Sequence, residues 1–386
     1  MSDKPHRPET DLIHAGEPRP RIEGAVTLPI FQSSTFEFGG ESDYDRIRYL
    51  RLSNTPNHQA LHQKLAALEG GQAALVSASG MAAIASTLLA CLDAGDHLLA
   101  QDCLYGGTHG LITGEMVRLG LSYDFIRGDD PDSWQRRLKP NTRVLYVESI
   151  TNPLMQVADL EALARFAREH GLISVIDNTF PTPVNFRPLE WGFDLSVHSG
   201  TKYLNGHSDI VAGAVIGSHG HIRKIHHTAN HLGGSLDSHA AFLLHRGIKT
   251  LALRVEAQNR SALRLAEFLQ AHPGVARVNY PGLKDHPDHQ RACRLFSGFG
   301  GMLSFELHGG TEAAERFLKA LRLPVNAPSL GGVESLVTRP ASTSHAGLSR
   351  EERRRAGISE SLIRLSVGLE APEDLIRDLE SALAAA

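Results

Sequence analysis

Residues 73–92, AALVSASGMAAIASTLLACL, form an uncharged run of the length that crosses a bilayer. Few of its residues are large and apolar, and Ser79-Gly80 breaks it with turn chemistry. It therefore reads as a buried strand over 73–76, a Ser-Gly turn and a buried helix, not as a membrane span. Similar apolar runs follow at 97–100, 121–126, 144–147, 173–176, 195–197 and 211–216, most of them separated by helical stretches such as DLEALARFAREH at 159–170. Continuous apolar strands alternating with helices predict a mostly parallel seven-stranded sheet covered on both faces, an α/β domain over residues 58–247.

Outward from this domain the patterns change. Residues 1–57 are rich in Pro, Arg and single turn residues without sustained periodicity, which predicts an extended arm that contacts a neighbouring subunit. Leu61, Leu65 and Leu68 then fall at helical spacing behind the cap-like Asn54 and Thr55. Beyond residue 247 comes a long helical stretch with Leu251, Leu253, Val255 and Leu263, then strands at 276–279 and 302–307, a helix at 311–321, a strand at 362–367 and a last helix at 372–384. Elements clustered in this way predict a smaller α+β C-terminal domain over 248–386.

Composition removes several classes of function. The 386 residues are 41% hydrophobic and 21% charged, ordinary for a globular chain. Lys plus Arg number 39 against 43 Asp plus Glu, a net charge of −4, which lacks the cation surplus that nucleic acid demands. Three cysteines without CxxC spacing support neither a disulfide framework nor a cysteine zinc site. The polar N-terminus MSDKPHRPET has no apolar core of a secretory signal, so a soluble, cytoplasmic protein is expected. Six histidines between His207 and His231 lack HExxH and a carboxylate at ligand spacing, and no metal is expected. GxxxxGK[ST] and strand-linked GxGxxG loops are absent, which disfavours nucleotide hydrolysis and dinucleotide redox.

In an open parallel sheet, ligands collect beyond the carboxyl ends of the strands. There the sequence places Ser77-Ala78-Ser79-Gly80-Met81, Tyr105-Gly106-Gly107-Thr108, Glu148 with Thr151-Asn152-Pro153, Asp177-Asn178-Thr179, and His198-Ser199-Gly200-Thr201-Lys202-Tyr203. Small residues opening a helix, with hydroxyls beside a lysine, suit a phosphate group. An aromatic ring covers a flat heterocycle, a carboxylate such as Asp177 keeps a ring nitrogen protonated, and a lysine in a dry pocket forms a Schiff base. Taken singly, Asp177 equally fits a helix cap and Ser79-Gly80 a plain turn. Their recurrence at equivalent strand ends describes a pyridoxal phosphate site.

The stretch DLSVHSGTKYLNGHSDIVAGA at 194–214 resembles the lysine signature of the Cys/Met-metabolism family of pyridoxal phosphate enzymes. The resemblance extends over IHAGE at 13–17, GAVTLPIFQSSTF at 24–36, SASGMAAI at 77–84, LYGGT at 104–108, TNP at 151–153, VIDNTF at 175–180, SLGGVESL at 329–336 and LIRLSVGLE at 362–370. It implies a fold-type I pyridoxal phosphate-dependent transferase fold with Lys202 as the lysine that carries the cofactor and shuttles protons. Ser199, Thr201, Gly80 and Met81 are then expected to hold the phosphate, Tyr105 to stack on the ring, and Asp177 to pair with its nitrogen. Tyr49 and Arg51 are expected to reach the phosphate of a neighbouring subunit, which implies at least a homodimer and, as in relatives, a homotetramer. Arg364 is expected to grip the substrate α-carboxylate, Asn152 and Ser329 to orient cofactor and substrate, and Glu334 to lie near the substrate.

Within the family, the resemblance is nearest to cystathionine γ-lyase and cystathionine γ-synthase. It implies a carbon-sulfur lyase that eliminates a thiol from a sulfur amino acid to give a 2-oxo acid and ammonia; the alternatives are γ-replacement on a homoserine ester and cystathionine β-lyase chemistry. Two departures bear on this. Asn54-Thr55-Pro56 stands where relatives carry Asn-Pro-Thr, and Gly110 stands where enzymes acting on cystathionine through its γ-carbon often carry an arginine.

Overall fold

The computed structural model describes residues 6–386. Seven strands, β1 (Ala73–Ser77), β2 (His97–Gln101), β3 (Ser122–Ile126), β4 (Thr142–Glu148), β5 (Ile173–Asp177), β6 (Leu195–Ser199) and β7 (Gly213–Gly217), form one sheet in the order β1-β7-β6-β5-β4-β2-β3. The pairs β2·β3, β2·β4, β4·β5 and β5·β6 are parallel. Strand β7 runs against both its neighbours, so the sheet is mixed and not purely parallel. Between β6 and β7, residues 200–212 hold turns and no crossover helix, and the chain returns antiparallel as that connection requires.

Alternate residues of these strands enter two apolar layers. Leu75, Val175, Val197 and Val215 pack with Ile84 and Leu88 of α3 (Gly80–Cys91) and with Ile222 and Ile225 of helix His219–Leu232. Val76, Val147, Ile176 and Ile216 pack on the other side with Leu61 and Leu65 of helix Pro56–Glu69 and Leu163 of helix Leu160–Glu169. Burial on both faces is why the strands read as unbroken apolar runs. No helix among the described residues is long and apolar enough to cross a membrane.

The second sheet runs β10-β11-β12-β9-β8, with β8 (Val275–Asn279), β9 (Met302–Leu307), β10 (Val325–Asn326), β11 (Leu336–Thr338) and β12 (Ile363–Ser366). Sequence patterning misses β10 and β11 because two and three residues are too short to display a period. Helix Leu251–Ala271 serves both domains: Leu251, Ala252 and Val255 belong to the first core, and Ala262, Leu265 and Leu269 to the second.

The arm is not wholly extended. Pro8–His14 forms a helix, α1, with Pro8 in its first turn, Glu9 and Asp11 suited to its positive end, and Leu12 buried in the main core. One buried residue in seven gives no periodic signal. Farther along, α-helix His219–Leu232 holds the arm: His226 binds the Leu52 carbonyl, His227 binds Asp45, and Asn230 donates to Asp45 and accepts from Arg51.

Candidate active site

The carboxyl ends of β4, β5 and β6 and the first turn of α3 converge on a cavity of about 630 Å³. Ser79 caps α3 by accepting the Ala82 N–H at 3.0 Å, leaving the first-turn amides of Gly80 and Met81 facing the cavity mouth. The close fit there depends on glycine. A Cβ on Gly213 would lie 2.0 Å from the Ser79 carbonyl oxygen, and one on Gly80 would lie 2.9 Å from the Ser199 Cβ. These two positions let α3 start directly against β6 and β7.

Lys202 sits in the same cavity with its Nζ donating to the Ser329 hydroxyl at 2.8 Å. Burial, reinforced by the Arg364 charge, lowers its amine from the usual lysine range to about 8. Arg364 on β12 is 3% exposed, donates from Nη1 to Asn152 Oδ1 at 3.0 Å and from Nη2 to the Ser329 carbonyl at 3.1 Å, and keeps a buried Nε with no partner. Burial lowers it to about 10, a range in which it stays charged. Ser329, which serves both cations, has φ +104°, a strained conformation for a non-glycine residue.

Asp177 ends β5 deep in the cavity. Burial raises its carboxyl, opposed by hydrogen bonds from Thr179 and by the nearby His198. The Thr179 N–H donates to it at 3.0 Å, and the Thr179 hydroxyl in turn accepts the Ser199 N–H at 2.9 Å. Thr179 thus links the carboxylate end of the site to the phosphate end. The sequence offered it within Asp177-Asn178-Thr179, but nothing in a linear pattern distinguishes it from a turn residue. Thr343 and Ser344 also line the cavity, brought there by a loop without period or motif.

Tyr105 lies at the cavity rim, 42% exposed, with its N–H on Glu148 Oε1 at 2.6 Å and its ring pressed so near Gly107 that a Cβ there would lie 2.6 Å from Tyr105 Cε1. The Thr201 hydroxyl is engaged with the backbone of Ala212, donating to its carbonyl at 3.2 Å and accepting its N–H at 3.0 Å. A phosphate oxygen would take over the first of these bonds. The structure therefore brings together Gly80, Met81, Tyr105, Asn152 and Asp177 with Ser199, Thr201, Lys202, Ser329 and Arg364.

Three expected residues lie outside that lining. Glu334 borders an adjoining cavity that shares Thr201, Val211, Pro328 and Ser329, and it accepts the Ser208 hydroxyl at 3.2 Å. Tyr49 and Arg51 are on the arm, where Arg51 donates to the Asn230 carbonyl and to the Tyr44 hydroxyl, each at 2.7 Å. Neither lines the cavity.

The residues fit a flat, anionic carbonyl cofactor. A half-buried amine near neutrality, free helix-start amides beside two hydroxyls, an aromatic at the rim and a half-buried carboxylate opposite form one concave site, and the unpartnered Arg364 Nε is aimed at no protein acceptor. Comparison with known proteins agrees. Residues 9–384 match the Cys/Met metabolism PLP-dependent enzymes, and the chain belongs to that family. Its cofactor is pyridoxal 5'-phosphate. The chain is 40% identical to the cystathionine gamma-lyase of Bacillus subtilis (strain 168) over 97% of its length and 98% of the relative's. It is 42% identical to that organism's cystathionine beta-lyase MetC over 97% and 96%. The crystal structure of cystathionine gamma synthase from Xanthomonas oryzae pv. oryzae in complex with cystathionine superposes with a TM-score of 0.95 at 39% identity, covering 99% of both chains. The fold is that of the fold-type I pyridoxal phosphate-dependent enzymes.

Proposed function

We propose that the protein is a carbon-sulfur lyase of the cystathionine γ-lyase type, eliminating a thiol from a sulfur amino acid to leave a 2-oxo acid and ammonia. The observation that carries this reading is the pairing of a half-buried amine, Lys202, with a buried guanidinium, Arg364, across one serine. One grips a carboxylate while the other, neutral above about 8, works on the adjacent carbon. When bound, pyridoxal phosphate supplies an aldehyde carbon for the substrate amine and an electron-withdrawing ring.

The protein's side chains do the rest. Arg364 holds the α-carboxylate bidentately, with Asn152 and Ser329 fixing the guanidinium plane. Lys202 Nζ removes the Cα proton and, for a γ-leaving group, moves a further proton from Cβ. The Tyr105 hydroxyl gives a proton to the departing sulfur. Asp177 would hold a proton at the ring nitrogen, and the Gly80 and Met81 amides with Ser199 and Thr201 would hold the phosphate. Glu334, one cavity away, faces the distal part of a long substrate.

The second reading is β-elimination: Gly110 withholds an arginine expected for γ-carbon chemistry on cystathionine, and a cystathionine beta-lyase is 42% identical; a γ-replacing transferase is the remaining alternative, with a cystathionine gamma synthase structure at 39% identity. Incubation with L-cystathionine and identification of the keto acid decides: 2-oxobutanoate is expected, pyruvate moves the assignment to β-elimination, and no keto acid, with cystathionine formed instead from an added homoserine ester and cysteine, moves it to γ-replacement.

The assembly belongs to the same proposal. The arm over 1–57 brings Tyr49 and Arg51 to a neighbour's phosphate, the domains divide at 58–247 and 248–386, and the working unit is a cytoplasmic homodimer or homotetramer. The arm's attachment to its own helix His219–Leu232, away from its own cavity, supports that reading.

A further inference from the structure

Glu148 is a buried acid that the reaction above does not use. It ends β4 directly opposite Asp177 on β5, in register, so both carboxyl groups leave the sheet on one face and line one cavity. Glu148 is 5% exposed. Ionising both would set two like charges side by side in one pocket, which disfavours the second ionisation.

The contacts identify which group keeps its proton. Asp177 accepts the Thr179 N–H and feels His198 from β6. Glu148 accepts the Tyr105 N–H at 2.6 Å and is supported by the Asn152 backbone, but it has beside it Asp177, Tyr146 and Cys103, of which none is a cation. Burial and the Asp177 charge push Glu148 well above the usual carboxyl range.

We infer that Glu148 is a positioning residue that stays protonated in the working enzyme, anchoring the Tyr105 backbone through its Oε1 while leaving Asp177 as the single negative charge beneath the cofactor ring. The inference rests on the site reading above, in which Asp177 faces the ring nitrogen and Tyr105 covers the ring. A neutral Glu148 holds the tyrosine without competing for the proton that Asp177 keeps on the ring nitrogen.

Infrared difference spectra of the holoenzyme test the assignment, wild type minus Glu148→Gln at pH 7. The difference is expected to contain the C=O stretch of a protonated carboxylic acid and no carboxylate bands; carboxylate bands in its place overturn the inference. Wild type minus Asp177→Asn is expected to show the converse, and an acid band there assigns the proton to Asp177 instead. Anchoring has its own readout. Glu148→Ala is expected to weaken cofactor binding about tenfold and to diminish the circular dichroism of the bound cofactor, as an orphaned buried N–H implies, whereas Glu148→Gln keeps the acceptor and the dichroic band. Equal loss in both variants counts against anchoring. Neither measurement depends on which sulfur compound is cleaved, so the inference and the lyase assignment fail separately.

Discussion

Lys202 has a hydroxyl as its hydrogen-bond partner and a guanidinium as its charged neighbour, an arrangement that favours the neutral amine. Its folded value of about 8 lies below the ordinary 10.5, so between those limits the unfolded chain binds more protons than the folded one. Stability contributed by this position therefore rises with pH through that window, and below about 8 the buried charge weighs fully against the fold. Accordingly, Lys202→Met is expected to melt higher than the wild-type apoprotein at pH 7.5, with the gap narrowing by pH 10; a pH-independent gap would contradict the lowered value. Loading of cofactor onto apoprotein should accelerate as pH rises toward 8 and level off above it, because only the neutral amine attacks an aldehyde. Gly110 invites the opposite kind of change. A Cβ there meets nothing within 4 Å, so Gly110→Arg is expected to fold normally and to lower KM for L-cystathionine about tenfold, the worth of one charge-assisted bond. An unchanged KM places the distal contact elsewhere. At this scale the sequence was most informative where chemistry sits in a short run, as with Lys202 and Asp177. It was silent on Thr179, Ser344 and the role of Glu148, whose importance comes from neighbours 20 to over 100 residues away.

Elements carried their own signals unequally. The inner strands of the large sheet announce themselves because burial on both faces enforces apolar runs, as at 144–147 and in Gly213–Gly217, whereas the edge strand β3 is only partly buried. Reversal of β7 was not visible in that composition, since a strand's polarity leaves no trace in which residues it buries. Strands β10 and β11 were too short, and α1 contributes a single buried residue, Leu12. The start of α3 is the element on which the site most depends. Adding a methyl at Gly80 pushes the helix away from Ser199, so Gly80→Ala is expected to cost about 1–3 kcal/mol, seen as a lower melting temperature together with about tenfold weaker cofactor affinity. Loss of stability with intact affinity would mean that the helix-start amides do not hold the phosphate. By the same logic Ser79→Ala removes the cap on Ala82 and is expected to cost about 1 kcal/mol.

On the proposed assembly, the whole molecule extends this dependence to a second copy. If Arg51 serves the neighbour's site, two defective variants complement each other: Arg51→Ala and Lys202→Ala protomers, unfolded and refolded as an equal mixture, are expected to regain about a quarter of wild-type activity at limiting cofactor, since half the dimers are mixed and each mixed dimer has one intact site. Either variant alone stays low, and a mixture no better than its parents refutes a shared site. The topology also dictates when a site can exist. Strand β1 lies at the sheet edge against β7, so the helix start that follows β1 has no backing until the chain has been made as far as Gly217. On the ribosome, the earliest strand made is among the last to be paired, and non-local pairing of this kind is slow and leaves an apolar segment uncovered meanwhile. A nascent chain ending before Gly217 is thus expected to be blind to cofactor, and release from that vulnerability comes with the very strand that runs backwards.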